Sequence, residues 1–128
     1  MILVDTSVIV AWLDRGHPQH RACLKAIEHW AQRDRLAVST VTLGELAVGG
    51  RTRDAVEEDL RDFEILPLDA DGAWRAGMAF RQYRRKDSDD PVLPDFFIRA
   101  QAAALHLPHL TNDRRRIKSF PDVDFEFV

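Results

Sequence analysis

Short apolar runs alternate along this chain with longer stretches in which apolar residues return every three or four positions. Ile2-Leu3-Val4 is uniformly apolar and rich in β-formers, as expected of a strand covered on both faces. Asp5-Thr6-Ser7 follows, and Val8 to Leu13 continues as a helix. His17-Pro18-Gln19 predicts a second helix start, with proline tolerated in the first turn. Cys23, Ala26, Ile27 and Trp30 then form a stripe at i, i+3, i+4 and i+7. The second strand is expected over residues 36–39, and Thr40-Val41-Thr42 leads into a helix that ends near Val48 at Gly49-Gly50. Arg53 to Phe63 predicts another helix, with Val56, Leu60 and Phe63 on one side.

Ile65-Leu66-Pro67-Leu68 reads as a third strand despite its proline. Ala73, Ala76, Gly77, Phe80 and Tyr83 mark a longer helix between about Ala70 and Arg85. The polar stretch Lys86-Asp87-Ser88-Asp89-Asp90-Pro91 predicts a loop. A helix from Pro94 or Asp95 to His106 turns Ile98, Ala102 and Leu105 inward. His109-Leu110-Thr111 is a brief strand, followed by Asn112-Asp113 and a basic helical turn. Val123, Phe125 and Phe127 alternate with Asp122, Asp124 and Glu126, the period-two pattern of a half-buried edge strand. Strands alternating with helices predict an α/β fold, with helices on both faces of a mostly parallel sheet.

With 128 residues, the chain suits one domain over 1–128. No apolar run reaches the ~20 residues of a membrane span, and no basic segment precedes the first strand, so neither a membrane anchor nor a signal peptide is expected. The single cysteine, Cys23, reads as a small core residue. Together these features predict a cytoplasmic protein. The net charge of -3 does not suggest a protein that holds nucleic acid by its overall field, yet the basic residues cluster. Arg81, Arg84, Arg85 and Lys86 fall in one window, and Arg114, Arg115, Arg116 and Lys118 in another. Each window is a candidate contact to a phosphate backbone, or a solvated face.

Four acids stand at equivalent places in the predicted architecture. Asp5 ends the first strand and Asp113 lies just past the strand 109–111. Glu45 sits in the helix after the second strand, and Asp95 opens the helix after the polar loop. In a parallel sheet, strand carboxyl ends and the starts of the following helices share one edge, where ligands bind. Each acid has an alternative reading as a helix cap: Asp5, Asp95 and Asp113 as N-caps, and Glu45 as part of a Thr42-x-x-Glu45 capping box. If the four gather, like charges about 4 Å apart repel by about 4 kcal/mol at intermediate dielectric. No lysine or arginine lies close in sequence to Asp5 or Glu45. Such a cluster holds a proton or a cation, and all-oxygen ligands favour Mg²⁺ or Mn²⁺ over zinc. The histidines at 17, 20, 29, 106 and 109 form no recognisable zinc motif.

The stretches VDTSVIVAWL, STVTLGELAVG and LPDFFIRAQAAALHLPHLTNDRRRIKSFP together resemble a PIN-domain ribonuclease, specifically a toxin of the VapC type from type II toxin–antitoxin systems. The resemblance implies a three-layer α/β/α PIN-like fold and Mg²⁺- or Mn²⁺-dependent endoribonuclease activity. It also implies dimerisation and a cognate antitoxin of the VapB type. Asp5, Glu45, Asp95 and Asp113 would be its metal-binding and catalytic acids. Thr6, Ser7, Thr111 and Asn112 are expected to orient acids or water around them. The two basic windows would hold the RNA backbone. The chain departs from the family's pattern at Phe96, Phe97 and Arg99, where small residues are common, and at His106-Leu107-Pro108, where a glycine is common. The alternative to a nuclease is a PIN-like module that binds RNA or protein without cleaving. A receiver or phosphatase is less well matched, since Asp5-Thr6-Ser7 lacks the Asp-x-Asp of a phosphatase nucleophile and no Gly-rich phosphate loop is present.

Overall fold

Alternation within the strands divides the protein into layers. Ile2 and Val4 of β1 (Ile2–Val4) join one buried cluster, while Leu3 between them joins another on the opposite face. Strand β2 (Leu36–Ser39) repeats the division, with Leu36 and Val38 on one side and Ala37 on the other. The first face is covered by α1 (Thr6–Leu13), α2 (His20–Ala31), α3 (Thr40–Val48) and α4 (Arg53–Asp59). The second is covered by α5 (Ala70–Lys86) and α6 (Leu93–Leu105). A computed structural model describes residues 1–86 and 93–128, with side chains described for 1–83 and 93–128. Segment 87–92, within the loop expected between Lys86 and Leu93, and the side chains of Arg84, Arg85 and Lys86 lie outside the described residues.

Strands β3 (Glu64–Leu66), β4 (His109–Thr111) and β5 (Phe125–Phe127) complete a five-stranded sheet in the order β3-β2-β1-β4-β5. Every pairing in it is parallel. The chain winds outward from β1 through β2 to β3, then crosses to β4 on the other side of β1. The sheet's switch point therefore lies between β1 and β4, and the carboxyl ends there belong to Asp5 and Thr111. Ligands bind at such a crevice in open α/β sheets.

The α/β class, the layers and the edge position of β5 match the sequence-based expectation, and several boundaries differ. Helix α2 begins at His20 rather than His17, because His17–Gln19 forms a turn in which the His17 ring accepts the Gln19 N–H at 3.0 Å. Helix α4 stops at Asp59, and Leu60 and Phe63 reach the core from the turns beyond it. Gly77 and Leu105 face solvent instead of the core, Leu105 with 44% of its surface exposed. Strand β5 is only three residues long, and a 3-10 turn over Ile117–Ser119 replaces the expected basic helix.

Helix α6 ends at Leu105 in a left-handed cap: His106 has φ 54, its N–H meets Ala103 O at 3.3 Å, and the Leu107 N–H meets Ala102 O at 3.0 Å. His106 thus occupies a conformation that glycine adopts without strain. Ending the helix this way turns the chain through Pro108 into β4, which places Thr111 and Asp113 beside Asp5.

Candidate active site

Asp5 stands at the N-cap position of α1, yet its side chain makes no capping bond to that helix. Its carboxylate Oδ2 instead accepts the Thr111 hydroxyl at 2.6 Å and the Ser7 hydroxyl at 3.2 Å. Only 3% of Asp5 is exposed. The capping alternative for Asp5 is overturned, and so is the capping box. Ser39 caps α3 by accepting the Val41 N–H at 3.1 Å, which leaves Glu45 in the helix interior. Glu45 Oε1 accepts the Thr6 hydroxyl at 2.8 Å. Thr6 has one proton to give, so the Thr42 hydroxyl, 2.9 Å from it, donates into Thr6. A relay Thr42, Thr6, Glu45 therefore ties α1 to α3.

The second half of the site comes from α6 and the loop after β4. Asp95 lies in the first turn of α6, where a negative charge suits the helix dipole. Asp113 caps no helix. Its Oδ1 accepts both the backbone N–H and Nε of Arg115 at 2.9 Å, and its Oδ2 accepts Arg115 Nη2 at 3.0 Å. Its own backbone N–H donates to Thr111 Oγ1 at 3.1 Å. One hydroxyl thus bridges Asp5 and Asp113. Arg116, in the left-handed conformation at φ 61, places Nη2 3.3 Å from Asp95 Oδ2 and 3.7 Å from Asp113 Oδ2.

Charge is distributed unevenly across these groups. Burial, with the neighbouring charges of Asp95 and Asp5, raises the Glu45 pKa above the ordinary carboxylate value, although the Thr6 bond opposes this. Burial and the Asp5 charge likewise raise Asp95, against the pull of Arg99 and Arg116. Burial acts on Asp113 too, but its bonds from Arg115 outweigh that and hold its pKa down. No arginine or lysine among the described residues pairs with Asp5 or Glu45. Behind Asp5 lies His109, fully buried, whose Nδ1 donates to Leu3 O at 3.0 Å. Its Nε2 is 3.8 Å from Asp5 Oδ2, but burial lowers its pKa and keeps the ring neutral, so this contact is not an ion pair.

Thr6, Ser7, Glu45, Asp95 and Asn112 line one cavity of about 580 Å³. Its far wall is the turn His17-Pro18-Gln19, and Gln19 accepts Asn112 Nδ2 at 2.6 Å. A family model described as the PIN domain matches residues 2–126. The chain belongs to the PIN domain family. No curated protein matches this PIN domain significantly by sequence. Solved structures do. The chain resembles VapBC2 from Rickettsia felis, bound to a promoter DNA fragment, at 20% identity and TM-score 0.76, over 100% of this chain and 99% of that one. It resembles VapBC-5 of Mycobacterium tuberculosis, a member of the VapBC toxin–antitoxin family, at 28% identity and TM-score 0.61, over 99% and 96%. VapC20 of the same organism, a toxin that cleaves the sarcin-ricin loop, aligns at 19% identity and TM-score 0.66 over 97% and 98%. The fold is that of the VapC-type PIN toxins.

In this PIN domain the donors around the cavity are carboxylate, hydroxyl and amide oxygens, the set that suits a hard divalent cation. Glu45, Asp95 and Asp5 repel one another, and of the three only Asp95 has a cationic partner among the described residues, Arg116. As the side chains stand, however, no three Asp, Glu, His or Cys groups among the described residues converge closely enough to hold an ion. Arg116 and Arg115 occupy Asp95 and Asp113 instead. The donor chemistry fits a divalent ion, for which Arg116 is a competitor at Asp95 Oδ2.

The basic windows do not present a uniform face. Arg81 is exposed on α5, and Arg114 is exposed with its guanidinium 4.0 Å from the centre of the Phe127 ring. Arg115 and Arg116 also pair with site acids, Arg115 with its side chain 70% exposed and Arg116 largely buried. Thr42, Arg99, His109 and the 17–19 turn were not expected at the site. Only Thr42 carried a usable signal, since a hydroxyl one turn before Glu45 on the same helix faces the same way.

Proposed function

We propose that this protein is an Mg²⁺- or Mn²⁺-dependent endoribonuclease and the toxin of a toxin–antitoxin pair. The observation that supports it best is that Asp5 and Glu45, both placed where capping would suffice, are withdrawn from capping and held by hydroxyls, Glu45 on the cavity wall and Asp5 buried behind it, bonded to Ser7 of that wall. Asp5, Glu45, Asp95 and Asp113 are the proposed metal-binding and catalytic acids. When bound, a divalent ion there supplies an activated water and positive charge against a phosphodiester. The chain's own part is orientation. Thr111 and Ser7 fix Asp5 through Oδ2, while its Oδ1 accepts no bond among the described residues. Thr6 fixes Glu45, and Gln19 fixes Asn112 on the cavity wall. Arg81, Arg114 and the basic residues at 84–86 are the proposed backbone contacts.

The same reading includes a VapB-type antitoxin, assembly as a homodimer and a cytoplasmic location. Its support is the family, the VapBC assemblies among the structural neighbours, and the lack among the described residues of any helix long and apolar enough to cross a membrane. One observation favours the rival, a module that binds without cleaving: Arg115 and Arg116 already neutralise Asp113 and Asp95. Incubation with mixed cellular RNA separates the two. Fragments that require Mg²⁺, vanish with chelator and are absent with Asp5→Asn support the nuclease. Binding of RNA with no fragments at any metal concentration supports the rival.

A further inference from the structure

The largest fully buried side chain among the described residues is a cation. Arg99 is 1% exposed and faces no carboxylate at ion-pair distance among the described residues. Its partners are two backbone carbonyls and a ring: Nη1 donates to Arg115 O at 2.7 Å and Nη2 to Asp113 O at 3.2 Å, and the guanidinium lies 5.4 Å from the centre of Phe125. Nε has no hydrogen-bond partner among the described residues. Removing such a charge from water costs several kcal/mol, and well-packed apolar replacements of buried charges are often neutral or stabilising. Stability alone is therefore a poor reason for an arginine here.

Its placement offers a better one. Arg99 lies one helical turn after Asp95, on the same face of α6. Its planar guanidinium fixes the peptide planes at 113 and 115, the stretch that presents the Asp113 carboxylate and leads into Arg116. A single rigid side chain thereby links the position of Asp95 to that of Asp113, which sequence keeps far apart. The positive charge also acts on both acids, pulling each toward ionisation. Lysine cannot reproduce this, because one ammonium does not match two diverging carbonyls with a planar pair of N–H groups.

We propose that Arg99 is a positioning residue that holds Asp113 opposite Asp95 for joint use of a divalent cation, an inference that rests on the metal-dependent reading above. The test measures Mn²⁺ affinity by calorimetry, together with the melting temperature of metal-free protein, for wild type, Arg99→Met and Arg99→Lys. Arg99→Met is expected to melt within about 5 °C of wild type while binding Mn²⁺ at least about tenfold more weakly. Arg99→Lys is expected to recover only part of that loss. Joined to Asp113→Asn, Arg99→Met should weaken Mn²⁺ binding no further than Asp113→Asn does alone, because both remove one contribution.

Wild-type Mn²⁺ affinity in both Arg99 variants overturns the proposal and leaves the metal reading intact, as does full additivity with Asp113→Asn. A wild-type protein that takes up no Mn²⁺ overturns both. Should Arg99→Met fail to fold, the comparison of Arg99→Lys with wild type decides between the same outcomes.

Discussion

The Thr111 hydroxyl donates to Asp5 and accepts from the Asp113 backbone, so it sets two acids at once. Thr111→Val keeps the shape and removes both bonds, leaving a part-buried N–H without its acceptor. It is expected to cost about 1–3 kcal/mol in denaturant unfolding. Glu45 makes the opposite prediction. Its folded pKa is raised, so the stability it contributes is fully present below its unfolded value of about 4.3 and is lost as pH rises through the higher folded value. Asp95 follows the same sign. Metal-free protein should therefore gain stability from these two groups as pH falls from neutral toward about 4, and Glu45→Gln should reduce that gain in melting curves. Asp113, with its lowered pKa, loses its contribution only at more acid pH. The four acids were legible because each stood at a strand end or in the following helix. Arg99 was visible only as a departure from family habit, since its burial depends on Phe125 and on carbonyls distant in sequence.

Among the elements, those defined by period were read well and those defined by turn chemistry were not. The stripe of α2 was visible, but not the His17 ring bond that delays its start. Phe63 belonged to the right core but not to a helix, because apolar spacing does not distinguish a helix from turns packed beneath it. The end of α6 offers a test. His106 adopts φ 54, where a non-glycine residue is strained. His106→Gly is expected to stabilise the protein by about 0.5–1 kcal/mol, read as a shifted denaturant midpoint with an unchanged slope. A loss of stability would show that the imidazole makes a compensating interaction.

For the whole molecule, sheet order matters more than net charge. Placing β4 beside β1 joins residues more than a hundred positions apart; strand and helix alternation predicted a shared rim for them but not this strand order. What alternation did not convey was how the rim's charges are balanced. Arg116 belongs to the acids, so the exposed cations available to RNA are fewer than the sequence windows suggest. Arg114→Ala should lower RNA affinity and reduce the slope of log affinity against log salt by about 0.7, whereas Arg116→Ala should chiefly destabilise metal-free protein and strengthen Mn²⁺ binding. Equal salt slopes for wild type and Arg114→Ala would remove Arg114 from the RNA surface. The proposed sharing of a divalent ion by these acids is tested most directly by titrating Mn²⁺ into purified protein in a calorimeter. Saturable binding, displaced by excess Mg²⁺ and lost in Asp5→Asn, is the predicted result; the absence of binding, or equal binding by Asp5→Asn, would contradict it.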